Sequence, residues 1–196
     1  MMYKGGLQLT SEMIRSFIAF EINNPSILHK FTEVQNLLVN TGADLKLVAP
    51  ENIHITIRFL GDVPAAKIDP IHESMKKTDF TAFDCQIHGL GVFPHLDYPR
   101  VVWAGISKGA DELTKIADLL ETQLRQLGFR ADPKGFSPHL TLARVKTSRN
   151  KAELARRIQE MADYEFGTMK ADCLRLKKSV LTPKGPVYST LKEVCR

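Results

Sequence analysis

Two short segments of this chain place a histidine two residues before a threonine: His54-Ile55-Thr56 and His139-Leu140-Thr141. On a β-strand, residues i and i+2 point to the same face. Each segment would therefore present an imidazole and a hydroxyl side by side. An imidazole titrates near neutral pH and can take or give a proton, so two of them in opposite protonation states form a base and an acid. Threonine hydroxyls beside them can donate hydrogen bonds to the non-bridging oxygens of a phosphate. A single His-x-Thr carries little information, because a lone strand histidine is more often a hydrogen-bonded structural residue. Two copies at equivalent positions of a repeated unit would aim both imidazoles into one cleft. No carboxylate or cysteine cluster stands at ligand spacing beside either copy, so the chemistry expected is metal-free and without cofactor.

The elements that must position these residues read as one pattern written twice. Arg15 to Ile22 is strand-like, and Pro25 opens a helix to about Val39. Asn52 to Leu60 alternates and is rich in β-branched residues, which predicts a strand. A second helix from Pro64 to about Lys77 and a strand from Phe83 to Val92 complete the first unit. In the second, Arg100–Ile106 is a strand and Asp111–Leu127 an amphipathic helix. Phe136–Ala143 is the second His-x-Thr strand and Lys151–Ala162 a helix. Strands near Asp172–Leu181 and Val187–Val194 follow. Phe17 to His54 spans 54 − 17 = 37 residues and Val102 to His139 spans 139 − 102 = 37. The repeats are placed at 14–92 and 100–194, with residues 93–99, rich in proline, as the linker. Alternation puts Thr56, Arg58 and Leu60 on the face of His54, with Ile53, Ile55, Ile57 and Phe59 on the other.

The chain has 196 residues, 43% hydrophobic and 25% charged, which suits one globular domain. No run of apolar residues is long enough to span a membrane. Met1–Ser11 lacks an apolar core, so no secretory signal is expected; residues 1–12 are expected to be a loose extension, with Met13 as an alternative start. Cys85, Cys173 and Cys195 are scattered and form no Cys-x-x-Cys pair, which predicts reduced thiols and a cytoplasmic protein. The net charge of +5 is concentrated late in the chain and is compatible either with phosphate-rich partners or with ordinary solvated faces.

With the motifs in hand, the sequence resembles the 2H phosphoesterase superfamily, and within it the RNA 2′,3′-cyclic phosphodiesterase branch, also called the LigT-like or 2′-5′ RNA ligase family. The residues that carry the likeness are Arg15–Phe20, Asn52–Gly61, Gly91–Pro94, Arg100–Gly105, Pro138–Val145 and Leu181–Tyr188. The resemblance implies an α+β bilobal fold: two lobes related by a pseudo-two-fold axis, each a small antiparallel sheet with outer helices, around a central cleft. It implies hydrolysis of a terminal ribose 2′,3′-cyclic phosphate to a 2′-phosphate, with RNA ends, tRNA halves among them, as partners. His54 and His139 would be catalytic, His54 as the acid and His139 as the base, although the pseudo-symmetry leaves the two interchangeable. Thr56 and Thr141 would bind phosphate, and Arg144 would approach the nucleotide. Arg144 lies five residues from His139, so it reaches the cleft only if a bulge intervenes or the strand has ended by Ala143. Arg58 is either an electrostatic helper or a surface ion-pair residue. Phe17 either stacks on a base or packs in the core, with Tyr188 as its neighbour. A monomer is expected.

Rival readings are a 2′-5′ RNA ligase and a non-catalytic RNA-binding module of the same fold. The second would not need both histidines. The metal-free reading predicts that turnover of a 2′,3′-cyclic nucleotide is unchanged by exhaustive chelation; loss of activity restored by added metal would overturn it.

Overall fold

Alternating apolar strands separated by amphipathic helices must stack the helices on one side of a sheet. The computed structural model describes residues 12–133, 135–183 and 185–196, so the expected extension 1–12 lies outside it except for Glu12. The elements are β1 (Met13–Glu21), α1 (Pro25–Val39), β2 (Leu45–Leu47), β3 (His54–Pro64), α2 (Ile68–Lys77), β4 (Phe83–His95), β5 (Tyr98–Lys108), α3 (Ala110–Gln126), β6 (His139–Val145), α4 (Lys151–Glu160), β7 (Glu165–Ala171), β8 (Cys173–Thr182) and β9 (Gly185–Cys195). The strands form a curled antiparallel sheet in the order β7-β4-β5-β6-β3-β1-β8-β9, with β2 added to β6.

This order is a palindrome of roles. Outward from the centre, β3-β1-β8-β9 on one side corresponds to β6-β5-β4-β7 on the other. The two halves meet where Ile55 of β3 pairs with Leu140 of β6, both fully buried. The sheet halves do not follow the sequence repeats. β4 ends the first repeat but pairs with β5 and β7. β1 is flanked by β3 and, from the end of the chain, by β8. Residues 93–99, expected to be a linker, belong to the β4–β5 hairpin. β2 and β7 were not anticipated from the sequence, being short and weakly alternating. The equal-spacing alignment is one residue off: Phe17 pairs with Phe59 in one half, and Val101, not Val102, pairs with Arg144 in the other.

The helices cover the apolar face of the sheet. α1 crosses to pack on β6 and β7, while α3 crosses the other way to pack on β3 as well as β5. Asn24 caps α1 by accepting from the Ser26 and Ile27 amides at 3.0 and 3.4 Å, and Pro25 occupies its first turn. Its buried stripe of Ile27, Phe31, Val34 and Leu38 includes one polar residue, Gln35. The Gln35 amide donates to the carbonyls of Val48 and Leu142 at 2.7 and 2.9 Å, which satisfies it in the interior. Gly91 permits the sheet to close around Trp103: a Cβ there would stand 2.2 Å from the indole. Among the described residues, no helix is long and apolar enough to cross a membrane.

Two of the cysteines correct the expectation of reduced thiols. Cys173 and Cys195, 22 residues apart, are disulfide-bonded because the β8–β9 register sets them directly opposite each other. Sequence spacing alone does not reveal a cross-strand pair whose register is unknown. Cysteine usage therefore gives no argument for a reducing compartment. Cys85 is the free thiol, and burial pushes its pKa up to about 12, so it stays protonated and inert. A disulfide closing a loop of this length contributes about 3 kcal/mol in chain-entropy terms. Reduction, or Cys173→Ser, should lower the melting temperature by roughly 6–12 °C for a domain of this size. A thermal melt with and without reductant checks this, and an unchanged melt would rule out a stabilising bond.

Candidate active site

The Ile55–Leu140 pair fixes the site. These residues are the centres of the two His-x-Thr segments, so the antiparallel pairing lays the segments side by side. It sets His54 alongside Thr141, and Thr56 alongside His139. With Ile55 and Leu140 facing the helices, all four functional side chains face the concave side. There they line a cleft of about 570 Å³ together with Arg15, Phe17, Lys46, Phe59, Arg144 and Tyr188.

Both imidazoles are held in the same way. His54 Nδ1–H donates to the carbonyl of Asn52 at 2.7 Å, and His139 Nδ1–H donates to the carbonyl of Ser137, also at 2.7 Å. A carbonyl can only accept, so Nδ1 carries a proton and Nε2 is the nitrogen that exchanges protons with the cleft. Asn52 is anchored in turn: its side-chain amide donates to the Pro186 carbonyl of β9 at 3.1 Å. Aromatic rings clamp the imidazoles. Phe17 stacks on His54 with centroids 4.7 Å apart, and Tyr188 meets it edge-on at 5.4 Å. Phe93 and Trp103 meet His139 edge-on at 5.0 and 6.4 Å. Burial holds the half-buried His54 below the ordinary histidine range, opposed by its bond to Asn52, which favours the charged form; Lys177 and His139 lower it further and Glu21 raises it.

A bulge follows each motif and decides which later residues reach the cleft. In β6, Thr141 pairs with Trp103 and Ala143 with Val102, leaving Leu142 as an extra residue. Leu142 and Ala143 are both buried, the alternation flips, and Arg144 emerges exposed on the concave face. The bulged backbone is secured from outside, since the Leu142 carbonyl accepts from both Gln35 and the Val48 amide. In β3, Thr56 pairs with Ala19 and Arg58 with Ile18, so Ile57 is extra. This turns Arg58 out of the cleft, contrary to the parity expected from a regular strand. Its guanidinium bonds Glu121 of α3 at 2.8 Å, Asp132 at 3.4 Å and the carbonyl of Arg130. Phe59 takes the concave position instead, the counterpart of Arg144 across the pseudo-two-fold.

Of the two readings open for Phe17, the structure favours packing. Phe17 lines the cleft but is only 3% exposed, so it braces His54 and offers no open platform. Among the described aromatics that line the cleft, the exposed one is Phe59, at 44%, with the Arg15 guanidinium 4.9 Å above its ring. Arg15 shares parity with Phe17, and Phe59 becomes a cleft residue only through the bulge. Lys46 enters because β2 lies opposite Arg144, a pairing with no sequence signal. Burial raises the Tyr188 phenol pKa, opposed by Arg144 and Arg15, which line the same cleft. The assembly brings two imidazole Nε2 atoms, two threonine hydroxyls and a cationic rim together around one cleft.

Residues 16–195 match the family described as the AKAP7 2′5′ RNA ligase-like domain. A protein of Aeropyrum pernix named RNA 2′,3′-cyclic phosphodiesterase is 41% identical over 165 residues, which are 84% of this chain and 94% of that one. One of Archaeoglobus fulgidus with the same name is 40% identical over 179 residues, 91% of this chain and 98% of that one. Among solved structures, TT0787 of Thermus thermophilus superposes with a TM-score of 0.75 at 25% identity, covering 93% of this chain and 97% of its own.

The two arginines should behave differently. Arg58→Ala should cost about 1–3 kcal/mol of stability through its lost charged bonds and leave phosphate binding intact. Arg144→Ala should leave the melting temperature unchanged and weaken phosphate binding several-fold. Melting curves and titration with inorganic phosphate followed by NMR check this; the reverse pattern would place Arg58 in the cleft after all.

Proposed function

This chain belongs to the 2′-5′ RNA ligase-like family of 2H phosphoesterases, and from that premise we propose that it is an RNA 2′,3′-cyclic phosphodiesterase working by two-histidine acid–base catalysis. The observation that supports this most is the facing pair of His-x-Thr segments, with each imidazole tied through Nδ1 to a carbonyl and free at Nε2.

In this reading the cyclic phosphate sits between the two motifs. The Thr56 and Thr141 hydroxyls donate to its non-bridging oxygens, and Arg144 adds positive charge. His139 takes a proton from water as its oxygen attacks phosphorus. A P–O bond forms to that oxygen while the bond to O3′ breaks on the opposite side, and His54 donates its proton to O3′. The product is a 2′-phosphate with a free 3′-hydroxyl, and solvent restores both histidines. The base of the terminal nucleotide rests on Phe59 under Arg15, a contact available to any base because every base has a π-face. The substrate is an RNA end carrying a cyclic phosphate, tRNA halves included, handled by a monomeric enzyme. A non-catalytic RNA-binding role leaves the duplicated histidine geometry without a purpose.

Hydrolysis of a 2′,3′-cyclic nucleotide, with the product assigned by 31P NMR, tests the function; a 3′-phosphate product would overturn the orientation. Loss of either histidine should cost roughly 10²–10⁴-fold in single-turnover rate. Thr56→Ala and Thr141→Ala should cost less, roughly 10- to 150-fold each, the equivalent of 1.5–3 kcal/mol for a charge-assisted bond. A dispensable threonine would remove its assigned contact.

A further inference from the structure

The pseudo-two-fold makes His54 and His139 equivalent in backbone, in tautomer and in their neighbouring threonines, yet acid–base catalysis needs them to differ. The surroundings of the two differ at two corresponding positions. Opposite His54 in the β1–β3 register stands Glu21; opposite His139 in the β5–β6 register stands Gly105. Next to Phe17 on the far side, β8 supplies Lys177; next to the corresponding Val101, β4 supplies Phe93. One histidine thus has a carboxylate and an ammonium where the other has a glycine and a phenyl ring.

The two charges are built into the fold. Lys177 is 7% exposed, and its ammonium bonds the Glu21 carboxylate and, at 3.0 Å, the Thr190 hydroxyl. Glu21 also meets Arg175 at 3.3 Å, and Arg175 reaches Glu193 at 3.2 Å. Glu21, Lys177 and His54 together line a second cavity of about 340 Å³ that adjoins the cleft beneath the imidazole. A buried lysine–glutamate pair is weak evidence for stability, because desolvation offsets most of the attraction. Its position beneath one histidine of the two gives it another use.

We propose that Glu21 and Lys177 are positioning residues that break the equivalence of the two histidines and set His54 apart for its role. This rests on the two-histidine reading above. The groups facing His54 are Glu21 from β1, Lys177 from β8, Tyr188 from β9, His139 from β6 and Glu51 from the turn before β3. Of these, Lys177 disfavours the imidazolium and Glu21 favours it. The pair holds His54 as a readier proton donor than Glu21 alone would permit, while His139 lies among uncharged rings. A more acidic imidazolium gives its proton to an alkoxide leaving group more readily, while a smaller share of it is protonated at neutral pH, so the pair sets the balance between the two.

The test is the titration of the His54 imidazole by NMR in the full chain, which needs no substrate, together with the pH dependence of kcat/KM on a 2′,3′-cyclic nucleotide. Lys177→Met leaves Glu21 paired with Arg175 and should move the His54 titration to higher pH. Glu21→Gln leaves Lys177 on Thr190 and should move it to lower pH. The double variant should return it toward the wild-type position, and the pH optimum of kcat/KM should shift in the same three directions. Should Glu21→Gln not fold, Lys177→Met and the double variant carry the comparison. Single-variant shifts of the same sign, or none, would overturn the proposal. A wild-type protein with no activity on the nucleotide but with these opposed NMR shifts would instead count against the proposed function alone.

Discussion

The site depends on one strand pairing, Ile55 against Leu140. Both residues are buried apolar side chains facing the helices behind the sheet, so strand pairing and hydrophobic packing together fix the distance between the two histidines. Because the pair lies at the centre of the palindromic sheet, each half delivers one histidine and one threonine to the same point. A slip of two residues would preserve the faces but separate the motifs, and a slip of one would bury the imidazoles among the helices. The carbonyls of Asn52 and Ser137, two residues before each histidine, then orient the rings from the segments that lead into the strands. Precision at the site therefore comes from short-range backbone geometry repeated twice.

Much of this was legible in the sequence. The His-x-Thr strands, all four helices and the duplication appear as alternation, helical spacing and repeat, and they give the faces of His54, Thr56, His139 and Thr141 correctly. Alternation fails after the motifs, where Ile57 and Leu142 are inserted without partners. A bulge depends on the partner strand and on outside support, such as Gln35 of α1 holding the Leu142 carbonyl, and neither is visible locally. That is why strand parity puts Arg58 on the face of His54 and Phe59 on the opposite one, the reverse of what the bulge produces. The disulfide was hidden for a related reason, since pairing across a hairpin requires the register of Cys173 against Cys195.

The cleft is asymmetric in chemistry although symmetric in backbone. Phe59 under Arg15 faces Arg144 beside Lys46 across the axis, and the Glu21–Lys177 pair faces Gly105 and Phe93. Duplication supplies two similar frames, and side-chain differences at matched positions make them chemically unequal. The bulges at Ile57 and Leu142 fall at matched positions just after the two motifs, where local rules of strand construction give way.

The exchange of strands and helices between halves also constrains how the chain can be made. β1 and β3 emerge first in synthesis, but the outer edge of β1 is covered only by β8, and the salt bridge from Glu21 to Lys177 spans 156 residues. α1 likewise has its packing surface on β6 and β7, which are not yet present. The amino-terminal half therefore emerges with an apolar helix face that waits for β6 and β7 and a strand edge that waits for β8. Neither half can complete its packing by itself, because each borrows strands or helices from the other, and an open strand edge is a site for unwanted pairing.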